Sequence, residues 1–308
     1  MKLRIFIEPQ LGASFDQQLA VAKRAEDLGF DAFFRSDHFL KMGDGSGLPG
    51  PSDSWTILAG ISRETTTIRL GTLVNSSTFR HPAITAISVA NVDAMSHGRV
   101  ELGLGAGWYE AEHKAYGFEF LPLSERFEVL EEQLAIISGL WGTPNGETFS
   151  YAGKHFQLLN SPALPKPVQA KVPIIIGGRG FVKTPSLAAR FATEFNMSFV
   201  SLADYIAQSE RVRAACTKIG RDPKTLRYSF AQTIICGVNE QDIARRVKVM
   251  GGHISDLENN CLCGTPDQIV SQLANWRAAG AQAAYLQILD LDDLDHLDLI
   301  AAEVLPNI

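Results

Sequence analysis

Strand-like and helix-like runs alternate along this chain from its first residues, and that alternation is the pattern of parallel βα units. Residues 3–7 read as a buried strand. Ser14 then offers an N-cap with Gln17 three residues on, Phe15, Leu19, Ala22 and Ala25 mark one helical face, and Gly29 supplies the stop. Residues 32–34 form the next strand. A Gly- and Pro-rich loop at 41–51 leads to a helix capped at Ser52 or Asp53, residues 68–74 make the third strand, and Pro82 suits the first turn of the helix after it. The fourth strand falls at 100–104.

A long helix then starts near Ser124, with Phe127, Leu130, Leu134 and Ile137 at helical spacing. The rhythm breaks at 142–171, where short β-like runs and four prolines predict an excursion beyond the wall of alternating units. Residues 173–176 resume it as a strand, and later strands are predicted at 195–200, 226–236 and 283–288. Eight units predict an α/β chain folded as a (β/α)8 TIM-type barrel, with an insertion after the fourth unit. A length of 308 residues suits one such barrel as a single domain over 1–308, and 45% hydrophobic with 20% charged residues supports a large core.

Composition narrows the function. A net charge of −6 argues against nucleic-acid binding, which calls for a basic face to neutralise phosphates, so small-molecule chemistry is the default. The opening residues carry too short an apolar run for a secretory signal, and no stretch reaches the ~20 apolar residues of a membrane span, so a cytoplasmic protein is expected. Cys216, Cys236, Cys261 and Cys263 show no disulfide-framework spacing and are expected as reduced thiols. The lone C-x-C at Cys261 and Cys263 has no second ligand pair nearby, so no metal is assigned.

In barrels of this kind the site is built at the C-terminal ends of the strands. The second strand ends in Arg35-Ser36-Asp37-His38. A solvated loop start explains that cluster, and so does a site in which His38, beside Asp37, handles protons or bonds a cofactor. The third strand ends in Gly71-Thr72-Leu73-Val74-Asn75-Ser76, which a plain strand-to-loop transition also explains. The fourth runs into Gly103-Leu104-Gly105-Ala106-Gly107-Trp108. Its glycines alternate without the spacing of a dinucleotide fingerprint, since Trp108 stands at the third glycine's place; they suit a strand approached closely by another backbone or by a flat ring. The fifth ends in Gly177-Gly178-Arg179-Gly180, either a turn or a cradle for an anion at the next helix start. Without an H-x-H in the first strand or any H-E-x-x-H, a metal hydrolase is disfavoured.

Taken in order, Ser36-Asp37-His38-Phe39, Arg69-Leu70-Gly71-Thr72, Phe79-Arg80-His81-Pro82, the segment from Gly98 to Trp108, Glu112-His113, Tyr116-Gly117 and Ile176-Gly177-Gly178 resemble the luciferase-like monooxygenase superfamily. Within it the chain is most similar to the deazaflavin (coenzyme F420)-dependent oxidoreductases, nearly over its full length. The resemblance implies hydride transfer between coenzyme F420 and a small organic substrate, with a reduced-FMN monooxygenase using O2 as the alternative and a non-catalytic flavin- or ligand-binding barrel as the reading from another class. It implies Asp37 and His38 at the cofactor ring, with His38 near the hydride-bearing face. A cis Leu73-Val74 bulge would lie behind the ring, Gly105, Gly107 and Trp108 beside it, and Gly177, Gly178 and Arg179 at the cofactor phosphate, with Lys183 adding charge. Sugar-phosphate dehydrogenases of the superfamily carry a catalytic glutamate where this chain has Trp108, so Glu110 becomes the candidate for that acid. The resemblance leaves the assembly open, with a homodimer as the candidate.

Overall fold

The computed structural model describes residues 1–43, 46–249 and 261–308. Its strands are β1 (Lys2–Ile7), β2 (Ala32–Arg35), β3 (Arg69–Thr72), β4 (Asn75–Ser76), β5 (Val100–Gly105), β6 (Phe149–Ala152), β7 (Gln157–Ser161), β8 (Ile174–Gly177), β9 (Glu194–Ser198), β10 (Arg227–Cys236), β11 (Cys261–Gly264) and β12 (Ala283–Ile288). The helices are α1 (Phe15–Asp27), α2 (Ser54–Glu64), α3 (Pro82–Met95), α4 (Glu110–Tyr116), α5 (Leu123–Gly142), α6 (Lys183–Phe191), α7 (Leu202–Lys218), α8 (Glu240–Val249), α9 (Pro266–Ala278) and α10 (Leu294–Leu299). Strands β1, β2, β3, β5, β8, β9, β10 and β12 pair in parallel in that order, and β12 returns to β1 through Lys2↔Ala283 to Ile7↔Ile288. The ring is therefore the closed eight-stranded barrel that the alternation predicts.

Local sequence explains the helix starts. Ser14 and Gln17 form a reciprocal capping box at α1, the Asp53 side chain accepts from Thr56 N at 2.8 Å to cap α2, and Pro82 opens α3. The two faces of each strand feed different cores. Leu3, Ile5 and Ile7 of β1 pack outward against the helices, while Phe6, Phe34, Leu73, Ile175, Ala231 and Tyr285 fill the barrel interior.

At the floor of that interior lies Arg4, fully buried. Its guanidinium donates to Asp31 at 2.8 Å, to Glu101 at 3.0 Å and to Glu194 at 3.2 Å, with the Tyr285 hydroxyl at 2.6 Å. Arg69 and Arg227 add further ion pairs to Glu101 and Glu194. Each buried charge has an opposite partner, which is the condition for keeping it ionised away from water.

Two elements differ from the sequence reading, and the stretch at 142–171 takes a definite form. The strand expected at 68–74 is broken at Leu73-Val74: β3 pairs with β2 and β5, and β4 resumes pairing with β5 alone. Residues 142–171 contain an antiparallel hairpin, β6 with β7, whose turn is held by Glu132 of α5 accepting from the N–H groups of Lys154, His155 and Phe156. Strand β11 went unread. It pairs with the far half of β10, which at ten residues outruns β9 and β12.

Candidate active site

The chain leaves β2 through Arg35, whose side chain sets the turn. Its Nε donates to Ser36 O at 3.0 Å, Nη1 to Gln18 Oε1 at 3.1 Å and Nη2 to Ser52 O at 2.8 Å. Asp37 follows with its carboxylate buried. Both oxygens accept from Arg80 at the entry to α3, and Oδ2 also accepts from Asn75 of β4. Burial pushes this carboxyl up, but Arg80, Asn75 and Ser54 outweigh it and hold Asp37 below its ordinary value. Arg80 is shared with Asp53, so one cation ties the β2 and β4 ends to the α2 cap.

His38 is the next residue, and its side chain is 17% exposed. Its Nδ1 lies 2.9 Å from Glu112 Oε1, while Glu112 Oε2 accepts from Phe39 N at 3.0 Å. Glu112 belongs to α4, and the same helix is fixed by His113, whose Nδ1 bonds Tyr109 O at 2.7 Å and whose Nε2 bonds Thr78 Oγ1 at 2.6 Å. The Trp108 and Tyr109 rings stand edge-on to the imidazole at centroid distances of 5.9 and 6.2 Å. Glu8, just past β1, completes this group: burial pushes its carboxyl up, against the opposing pull of His38 and Gln10.

Beside these residues the Leu73-Val74 peptide is cis, as the resemblance implies. The alternating glycines of β5 accommodate Val74. A Cβ at Gly103 would meet Val74 Cγ1 at 2.8 Å, and one at Gly105 would meet Val74 Cγ2 at 3.0 Å. Gly107 has φ +74° and faces the Ser76 hydroxyl, so here too a side chain is excluded by the crossing segment.

Across the barrel mouth, β8 ends in Gly177, and exposed Gly178 follows at φ +131°. A Cβ at Gly178 would find only Thr184, at 3.5 Å and beyond, which leaves that stretch of backbone open. The loop is anchored by Gln208, which donates to Gly180 O at 2.8 Å, and by Arg179, which donates to Phe199 O at 2.7 Å. Helix α6 then starts with Val182 as its N-cap and no side-chain acceptor there, so the N–H groups of Lys183 and Thr184 are available to an anion, while Pro185 brings none.

The luciferase-like monooxygenase model matches residues 1–255. The chain belongs to that family. An F420-dependent glucose-6-phosphate dehydrogenase from Microbacterium testaceum is 38% identical over 171 residues, which is 54% of this chain and 48% of that protein. The present chain thus spans about half the length of that curated relative. A solved F420-dependent secondary alcohol dehydrogenase superposes with a TM-score of 0.86 at 18% identity, over 99% of this chain and 98% of that one. A monooxygenase from Streptomyces bottropensis gives 0.83 at 20% identity, over 99% of both. At such identities the likeness shows the barrel fold alone.

Against this family frame the structure distributes the expected residues unevenly. His38 and Trp108 are in ring contact, Leu73 and Val74 follow the end of β3, the strand next to β2, and Gly177, Gly178 and Arg179 form a second loop at the end of β8. Asp37 sits beside His38 in sequence, and its buried carboxylate is engaged by Arg80 and Asn75. Gly105 and Gly107 pack against Val74 and Ser76. Glu110 is exposed at the start of α4 and ion-paired with Lys114 one helical turn on, without a contact to His38. The reading missed Glu8, gave Arg80 no role beyond its place in the family pattern, and above all missed the role of Glu112, which lies 74 residues from His38. The Glu112-His113 pair was part of the family pattern, so its place was visible but its role was not. Among the described residues no group of His, Cys, Asp and Glu is arranged to hold a metal ion, and no helix is long and apolar enough to cross a membrane.

Proposed function

We propose that this chain is an oxidoreductase that moves a hydride between a deazaflavin, coenzyme F420, and a small organic substrate at the open end of its barrel. The observation that carries this reading is His38, half-buried at the strand ends with Nδ1 committed to Glu112 and Nε2 left for a ligand. Support comes from the named F420 dependence of relatives that align over half the chain. The open Gly178 backbone and the uncapped start of α6 suit a phosphate-bearing cofactor, and Arg179 and Lys183 bring positive charge to the same loop.

A bound deazaflavin supplies the hydride chemistry. The protein's own residues do the rest. Leu73 and Val74 would support a bound deazaflavin from behind, and Gly177, Gly178 and Arg179 would hold its phosphate. His38 Nε2 holds or delivers a proton at the reacting face, while Glu112 fixes the imidazole's orientation. Trp108, Tyr109 and α4 border that side of the site.

Calorimetric titration of the protein with coenzyme F420, FMN and NADPH tests the reading, and F420 is expected to bind most tightly. Tighter FMN binding with O2 consumption would identify a monooxygenase instead. Binding without turnover of any substrate would leave a ligand-binding barrel.

A further inference from the structure

We propose that Trp108 and Tyr109 form a stacking wall that admits a flat, uncharged, aromatic or conjugated substrate beside His38, in preference to a phosphorylated sugar. The inference rests on the placement of the reacting face at His38.

Trp108 is unlike the chain's other three tryptophans. Trp55 and Trp276 are buried at 3% and 7% exposure, and Trp141 is half-buried with its Nε1 bonded to Ala86 O, whereas Trp108 is 64% exposed. A large ring open to water next to an imidazole is apolar area waiting for a partner.

The wall is also held in place before any ligand arrives. Trp108 stacks on Tyr109 with centroids 5.2 Å apart and an interplanar angle of 26°. Tyr109 is fixed at both ends: its hydroxyl donates to Lys41 O at 3.1 Å, and its carbonyl accepts from His113. The preceding turn is set by Gly107, whose carbonyl accepts from Arg126 of α5. Little conformational freedom is left to lose on binding, so a flat ligand gains the full benefit of contact.

Charge selects in the same direction. Glu8 and Glu112 bring carboxyl groups to His38, which disfavours a phosphate dianion there. The nearby guanidiniums are engaged by the protein itself. Arg126 donates to Gly107 O and Leu121 O and covers the Phe120 ring at 4.2 Å, and Arg80 is held between Asp37 and Asp53.

Isothermal titration with menadione, an uncharged flat naphthoquinone, and with glucose 6-phosphate tests the wall in the wild type, W108F and W108L, with circular dichroism to confirm folding. Menadione should bind the wild type; W108F, which keeps a flat ring, should stay within about 3-fold, and W108L should weaken binding about 10-fold or more. Glucose 6-phosphate should give no binding heat. Equal menadione affinity in W108L and wild type, no menadione binding by the wild type, or tighter binding of glucose 6-phosphate than of menadione would each overturn the proposal. A parallel F420 titration separates the two readings. If menadione behaves as expected but F420 does not bind, the cofactor assignment fails and the wall stands; if F420 binds but menadione is indifferent to Trp108, the wall fails alone.

Discussion

His38 Nδ1 lies 2.9 Å from a buried Glu112 oxygen that also belongs to the group accepting the Phe39 N–H. A carboxylate has only acceptors to offer, so the proton of a neutral His38 resides on Nδ1 and Nε2 faces the site as an acceptor. Long-range 15N–1H NMR should therefore show the Nδ1-protonated tautomer in the wild type and a mixture in Glu112→Ala. His38→Ala should slow hydride transfer by ~10² to 10⁴, the usual worth of acid–base assistance, with a much smaller effect on cofactor affinity. Stopped-flow kinetics beside a cofactor titration separates the two, and an unchanged rate constant in folded His38→Ala would leave the imidazole a structural role only.

His296 gives a second prediction, on stability. It is buried on α10, and its Nε2 accepts from Cys236 N at 2.9 Å. Burial, reinforced by the Arg246 cation, brings its pKa from 6.5 down to about 4. The unfolded chain thus takes up a proton near 6.5 that the folded chain refuses, and stability falls as the pH drops from there toward about 4. Thermal melts across that window should show a decline that is shallower in His296→Gln, although the variant starts from a lower Tm because the Cys236 N–H is less well satisfied. Parallel declines in both proteins would assign the acid sensitivity elsewhere.

What the sequence disclosed, and what it hid, follows the range of the interactions. The capping box of Ser14 and Gln17 was readable because both partners lie within one turn, and the barrel was readable because eight buried strands repeat one rhythm. The break after Thr72 was hidden from the residue pattern, since Leu73 and Val74 continue an apolar run, and only the family resemblance placed a cis bulge there. Strand β11 is four residues, Cys-Leu-Cys-Gly, too short for any period to register. Arg4 looked like one polar residue in an apolar strand. Its partners Asp31, Glu101 and Glu194 stand 27, 97 and 190 residues away. The site shows the same limit: Asp37 drew notice as the sequence neighbour of His38, whereas the carboxylate that bonds the imidazole comes from α4.

Glu8 joins stability to function. It follows β1 at the strand ends, and burial pushes its carboxyl above the ordinary 4.5, with His38 and Gln10 opposing the shift. The folded chain then holds a proton that the unfolded chain has already released, so Glu8 erodes stability as the pH rises from 4.5 through its folded value. Glu8→Gln, which keeps the shape and removes the ionisation, should raise Tm at about pH 7.5 and leave it nearly unchanged at about pH 4. A residue with a purely structural role would show that pattern and nothing more. Because Glu8 interacts electrostatically with His38, removing its ionisation should also change the pH dependence of hydride transfer. A Tm gain at high pH with an unaltered pH–rate profile would confine Glu8 to the fold; no Tm gain at all would contradict the burial that sets its pKa.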